Sequence, residues 1–351
     1  MGTAICELRG VSKRYAAHRG LLDQGRRTVS ALHDVDLRLG DGEILGLVGE
    51  SGCGKTTLAR IALGLEAPTA GRVFFSGRDI SSLTRSGRRV FRRQAQMVFQ
   101  DPFSSLNPKK TVSQILSEPL KIHGLCAGRQ YRERAAQLLQ EVGLGSPALD
   151  RYPHEFSGGQ RQRIGLARAL ATQPRMIVAD EPTSALDVSI QAQIINLLLD
   201  LQERHRLSYL FISHDLPVIQ FVSHRVAVMY GGELVEIMPR KAFLPAGAST
   251  GTADHHPYTY MLLDAVPIPD PRSRFRGGRR RAAPRSPEPP GLARRDRCVF
   301  AGRCVHASAR CSESRPPWAE VGPGHFIACH HEAYTSGKRT DSETKWTEKT
   351  L

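Results

Sequence analysis

The 351-residue chain has no long apolar runs, and no window approaches the ~20 apolar residues needed to cross a bilayer. The N-terminal "MGTAICELRGVSKRYAAHRG" has no apolar core behind a basic start, so no secretory leader is expected. A cytosolic protein is expected, and a membrane role would have to come through a partner. Cysteine is scarce, at seven residues, and no two are spaced C-x2–4-C, the usual mark of a zinc knuckle. There is no internal repeat, and each motif described below occurs once. Hydrophobic content of 40% and charged content of 24% are ordinary for a globular chain with room for about two domains.

Positive charge, by contrast, is in excess, with a formal net charge of +15. Ten arginines lie between Pro271 and Arg297 against only Glu288 and Asp296, a local surplus of +8. That stretch is rich in Pro, Gly and Arg and reads as a solvated loop or linker. The same charge would also suit a salt-dependent contact with anionic lipid or nucleic acid.

The first 240 residues alternate short apolar runs with amphipathic segments, the pattern of an α/β domain. Strands are predicted at 44–48, 95–99, 176–179 and 209–213, and helices at 56–65, 135–142, 161–172 and 190–205. In the last helix Ile194, Leu197, Leu198 and Leu201 form an apolar stripe that belongs in a core. Composition shifts after Met238, where a domain boundary is expected. Residues 332–351 carry almost no apolar content and are expected to be disordered.

"GESGCGKTT", Gly49 to Thr57, follows the predicted strand and opens the first helix. This is the context a phosphate-binding loop requires. Gly49, Gly52 and Gly54 let the backbone wrap an anion while the amides of Glu50, Ser51, Cys53 and their neighbours turn inward. Lys55 brings charge to the β and γ phosphates, and the Thr56 hydroxyl is placed for Mg²⁺. The helix that follows aims its positive N-terminal end at the same anion. Cys53 reads mainly as a small residue that fits the loop, and its thiol would block the site if modified.

Downstream, "RMIVADEPTSALD" presents Asp180 at the end of a buried strand, as a second Mg²⁺ partner through water. Glu181 follows where a general base or water-positioning group is needed. Surface strands also end in acidic pairs, but here a phosphate loop accompanies this one. "LSYLFISHD" brings His214 to the end of a further strand, in reach of a γ-phosphate. "FSGGQ", Phe156 to Gln160, heads another helix, so Ser157 with the amides of Gly158 and Gly159 makes a second anion site. Two phosphate-binding surfaces facing different ways are used economically in a head-to-tail dimer.

Over about residues 5–238 these motifs resemble the ATP-binding cassette (ABC) transporter ATPases, with Phe156 where Leu is commoner in the signature. The resemblance implies a phosphate-loop NTPase cassette within residues 1–238. It would combine a RecA-like core, an antiparallel β subdomain and an α-helical signature subdomain at about 101–173. It also implies Gln100 as the Q-loop ligand of Mg²⁺, Asp187 in the D-loop "SALD", His214 as the switch histidine and Tyr15 as the adenine-stacking aromatic. Gln160 closes the signature, and Thr57 completes the nucleotide contacts. "FQDPFSSLNPKKTVSQILSEPL" and "YPHEFSGGQRQRIGLARAL" look more narrowly like oligopeptide/dipeptide (and nickel) importer ATPases, favouring the F-type member of a subunit pair. "HPYTYMLLDAVPIPDP" resembles their C-terminal extension, placed here at 239–331, and the arginine-rich insert departs from it.

Cys298, Cys304, Cys311 and Cys329 follow the spacing C-x5-C-x6-C-x17-C. A disulfide framework does not suit a cytosolic chain. The residues leave open zinc, with His306, His325, His330 or His331 as substitute ligands, and a [4Fe–4S] cluster on four thiolates. The resemblance favours the iron–sulfur cluster in a small loop-rich module. The expected protein is therefore an ATP hydrolase peripheral to the cytoplasmic face of the membrane. It would drive oligopeptide or dipeptide uptake with Mg²⁺ and ATP, Glu181, His214 and Lys55 being the catalytic residues. Its partners would be a paralogous ATPase or a second copy, two permease subunits and an extracytoplasmic binding protein. No specific nucleic acid is expected. The alternatives are a nickel or small-solute importer and, more distantly, a soluble ABC ATPase acting on nucleic acid or ribosomes.

Overall fold

A computed structural model describes residues 4–17, 27–101, 105–184, 186–243, 255–266 and 296–331. Most of the arginine-rich segment and the whole 332–351 tail lie outside the described residues. The N-terminal part is an antiparallel sheet of order β2-β1-β4-β5. It comprises β1 (Ala4–Ala17), β2 (Arg27–Gly40), β4 (Ala70–Phe75) and β5 (Arg78–Asp79).

Beneath it runs an eight-stranded mixed sheet of order β11-β12-β10-β9-β3-β8-β7-β6. Its centre is parallel: β3 (Ile44–Val48), β7 (Met176–Asp180) and β8 (Ser208–Ile212) are buried at every residue. Such continuous apolar runs are what a sheet covered on both faces requires. β6 (Ala95–Val98) flanks β7, and β9 (Arg225–Tyr230) pairs parallel with β3. β10 (Glu233–Pro239) then turns the sheet antiparallel. β12 (His325–Ala328) pairs with β10 through Glu236–Ile327 and Ile237–Phe326, and β11 (Trp318–Gly322) pairs with β12. The C-terminal residues thus extend the central sheet itself.

Between the two sheets lies one core, including Leu8, Leu37, Leu58, Ile61, Val178 and Met229. The other face is covered by helices whose core includes Leu116, Leu138, Ile164, Leu198 and Phe211. Each side chain of this kind, fully withdrawn from water, contributes about 1.5–3 kcal/mol.

The helices are α1 (Lys55–Ala62), α2 (Arg85–Gln94), α3 (Val112–His123), α4 (Gln130–Glu141) and α5 (Gly158–Leu170). They continue with α6 (Val188–His205), α7 (Leu216–Val222), α8 (Pro257–Asp264) and the short α9 (Ala309–Glu313). Several ends differ from expectation: α4 starts at Gln130 rather than Ala135, α5 ends at Leu170 and α6 starts at Val188, and two further ends differ for local reasons. α1 stops at Ala62, and Gly64 just beyond takes a left-handed φ of 60°. α5 begins at Gly158 rather than Arg161, because Ser157 and Gln160 form a reciprocal capping box that starts the helix three residues earlier.

Candidate functional site

The site forms at the carboxyl ends of the parallel strands, where β3, β7 and β8 each deliver a loop. After β3 the backbone turns through Gly49 (φ 156°), Gly52 (φ 80°) and Gly54 (φ 111°) into α1. Crowding requires glycine at two of these positions as well. A Cβ on Gly49 would sit 2.2 Å from the Met229 carbonyl oxygen, and one on Gly54 would sit 2.6 Å from that of Ala31. Cys53 is buried against Gly49, with its Sγ 3.8 Å from Lys55 Nζ, and burial raises its thiol pKa. Lys55 Nζ donates to the carbonyls of Gly49 (2.7 Å) and Glu50 (2.9 Å). Ser51 is exposed beside the loop glycines.

β7 places Asp180 against the loop, where the Thr56 side chain hydrogen-bonds it. Burial raises the Asp180 carboxyl, and the Glu181 charge adds to the shift, so a cation nearby would restore its anionic form. Glu181 adopts a left-handed φ of 47°, unusual for a side chain of its size, while its N–H is held by the Ile212 carbonyl at 2.9 Å. This geometry directs the carboxylate between two partners. Gln100 Nε2 donates to Glu181 Oε2 at 3.0 Å, and His214 Nδ1 lies 3.2 Å from the same oxygen. Three chain segments about 80 and 30 residues apart in sequence therefore meet on one carboxylate oxygen. Tyr15 reaches the end of the phosphate loop, with its hydroxyl hydrogen-bonded to Thr57 and Glu66 and Lys13 Nζ 5.1 Å above its ring.

Ser157, Gly158, Gly159 and Gln160 are placed elsewhere. Among the described residues none of their hydrogen bonds reaches the phosphate loop. They head α5 and pack on α6 and the turn before it: a Cβ on Gly159 would lie 2.4 Å from Ile190 Cγ2 and one on Gly158 3.2 Å from Leu186 Cδ2. Asp187 sits at the N-cap of α6 without a side-chain capping bond.

No disulfide joins the four C-terminal cysteines. Cys298, Cys311 and Cys329 are buried, and the Cys298 N–H donates to the Cys311 carbonyl at 3.0 Å. Burial, reinforced by the charges of Cys311, Cys329 and Cys304, pushes the Cys298 thiol up to about 12. Burial likewise pushes Cys329 up to about 11, with Cys304 and Cys311 adding to it. Four thiolates here would repel one another unless a cationic centre balanced them. Sulfurs on one zinc ion sit roughly 3.8 Å apart, from Zn–S bonds of ~2.3 Å. Among the described residues, however, only Glu236, His255 and His325 bring three such donor atoms within 4.8 Å. The four cysteines do not form such a group among the described residues.

Of the histidines weighed as substitute ligands, His325 is committed elsewhere, 2.6 Å from Glu236 Oε1, and His330 Nε2 lies 2.9 Å from the Ser314 carbonyl. His306 and His331 remain near the module as an edge-to-face pair at 5.2 Å. The Glu236 network itself was not foreseen. Its Oε1 meets His255 Nδ1 at 2.8 Å and His325, and its Oε2 accepts from the His256 N–H at 2.9 Å and the Thr259 hydroxyl at 2.5 Å. These bonds account for the buried triad without an ion.

A model of the ABC transporter family matches residues 32–184, and one for the oligopeptide/dipeptide transporter C-terminal region matches residues 235–311. The chain is 46% identical over 327 residues to the oligopeptide transport ATP-binding protein AppF of Bacillus subtilis, covering 93% of this chain and 97% of that one. It is 45% identical over 334 residues to a probable peptide ABC transporter ATP-binding protein of Sinorhizobium fredii, covering 95% and 91%. Among solved structures, a dimeric ATP-binding cassette in a post-hydrolysis state with ADP and Pi superposes with a TM-score of 0.59 at 31% identity. That match covers 67% of this chain and 98% of the other. A cassette of Clostridium perfringens from the cbiONQ transporter complex gives a TM-score of 0.58 at 25% identity, covering 68% and 90%.

Proposed function

The chain belongs to the ABC transporter ATP-binding proteins of the oligopeptide and dipeptide class, and on that premise we propose how its site hydrolyses ATP and drives peptide uptake through a permease. The observation that carries the proposal is the Glu181 carboxylate, fixed between Gln100 and His214 one residue beyond the Asp180–Thr56 pair.

In this reading Lys55 exchanges the Gly49 and Glu50 carbonyls for β and γ phosphate oxygens, joining loop amides other than that of Glu50, which is held by the Tyr258 hydroxyl. Thr56, Asp180 and Gln100 hold Mg²⁺, and Tyr15 stacks on the adenine. Glu181 orients and deprotonates the attacking water, and His214 steadies charge on the γ-phosphate. The chemistry is mostly positioning and electrostatics. Gln100 both touches Glu181 and stands at the entry to the helical part, so closing the site would shift that part as well.

Ser157, Gly158 and Gly159 do not reach their own phosphate loop, which supports a head-to-tail dimer with Asp187 at the seam. The second protomer is a copy or a paralogue. The chain then works on the cytoplasmic face of the membrane with two permease subunits and a binding protein that delivers peptide. For the four cysteines, burial and mutual repulsion support a bound cationic centre, which we read as a [4Fe–4S] cluster, with zinc as the alternative.

Purified E181Q protein should bind Mg-ATP with near wild-type affinity and lose turnover. Near-normal hydrolysis by that variant would overturn the assignment. Uptake of labelled peptide into vesicles carrying the co-expressed permease tests the substrate class against nickel and other small solutes.

A further inference from the structure

Glu50, its side chain 41% exposed, places a carboxylate on the loop that is meant to receive a polyanion. An unpaired charge there would repel a triphosphate. The counter-charge comes from 253 residues away: Arg303 Nη1 meets both carboxylate oxygens, at 2.8 and 3.0 Å. The Arg303 side chain is 15% exposed, lies 5.6 Å over the Tyr230 ring and donates to the Tyr230 hydroxyl at 3.4 Å.

A second contact fixes the backbone of the same residue, since the Glu50 N–H donates to the Tyr258 hydroxyl at 2.9 Å. The two contacts share one support. Tyr230 packs on Tyr258 at 4.6 Å and on Phe300 at 5.1 Å, and a Cβ on Gly231 would strike Val299 at 2.7 Å. The turn at 229–232 that forms the floor under Gly49 is therefore wedged between the phosphate loop and the cysteine-bearing segment.

We infer that Arg303 and Tyr258 are positioning residues for the phosphate loop, acting through Glu50 to set its affinity for the phosphates of ATP. The inference rests on the ATPase reading above. Arg303 neutralises the Glu50 carboxylate, and Tyr258 holds the loop backbone in the conformation that opens its remaining amides to the ligand. Neither residue touches the reacting atoms. They therefore act on nucleotide binding rather than on the chemical step.

The test is a charge-rescue experiment on the full chain. It measures the Kd for a fluorescent ATP analogue, KM, kcat and Tm for the wild type, R303A, E50Q, R303A/E50Q, R303K and Y258F. R303A should raise Kd and KM about tenfold, the loss of a charged hydrogen bond, with kcat within about twofold of wild type. Removing the now unpaired carboxylate in R303A/E50Q should return Kd to within about threefold of wild type. R303K, which keeps the charge but loses the paired contact, should fall between. Y258F removes one hydroxyl and should raise Kd about threefold without lowering Tm appreciably.

An unrescued double variant would mean that Arg303 acts only by holding the fold, and would overturn the clamp. Unchanged affinity in R303K and Y258F would overturn it even if R303A failed to fold. Wild-type protein that neither binds nor hydrolyses ATP would instead sink the ATPase reading.

Discussion

Two glutamates in this chain, Glu181 and Glu236, are each flanked by histidine and differ in almost everything else. Glu181 has two partners on one oxygen, Gln100 and His214, and that histidine is 63% exposed. Among the described residues no hydrogen bond reaches its other oxygen, and its backbone is held at a left-handed φ. Glu236 is fully buried and has four donors around its two oxygens, which is about all a carboxylate can accept. Burial alone would raise its pKa, but bonds from His255 and His325 overcome that and bring it down to about 2. The same residue types thus leave room for a ligand when capacity is open and make a structural joint when it is used up. Solvent access and unfilled lone pairs decide which.

The largest effect should come from the open site. E181Q should cut ATP turnover about a thousandfold, within the usual range for a general base, with little change in Tm; single-turnover hydrolysis checks this. E236Q should do the reverse. It leaves buried donors mismatched and should cost about 3 kcal/mol in stability, read from the urea midpoint, with KM for ATP little changed in whatever protein remains folded.

H214A should lower kcat about a hundredfold, while H325A should lower Tm and leave kcat unchanged; equal effects from the two would erase the contrast. The smallest effect is a pH dependence. The folded pKa of Glu236, about 2, lies below the ordinary 4.5. Its contribution is therefore fully present above about pH 5 and lost as pH falls toward 2. The stability gap between wild type and E236Q should narrow over that window and stay flat above it.

The open site was legible in the sequence because each of its parts is local. A phosphate loop needs a strand, glycines and a helix start within one short stretch, and Asp180, Glu181 and His214 each end an apolar run. The capping of α5 by Ser157 was carried by the same string that reads as the signature, although the helix start was placed too late. The sealed site was not legible. Glu236 lies 89 residues from His325, and nothing in the sequence around either suggests the pairing. His325 even reads as a possible ligand for the cysteines. Arg303 on Glu50 escaped for the same reason, since an arginine beside a cysteine reads as surface charge until the sheet brings residue 50 to it. Contacts set by strand pairing across long separations leave no local periodicity to find.

The strand order of the central sheet also has a consequence for how the chain is made. β11 and β12, which pair onto β10, are encoded some eighty residues after it. During synthesis the parallel core and its phosphate loop emerge first, with the edge of β10 unpaired and Glu50 not yet met by Arg303. Unpaired edges and late long-range contacts are what slow folding and invite association. If Arg303 sets the affinity of the phosphate loop as inferred above, the nucleotide site would be completed last, and a nascent cassette would pass through a stage in which it is folded before it binds well.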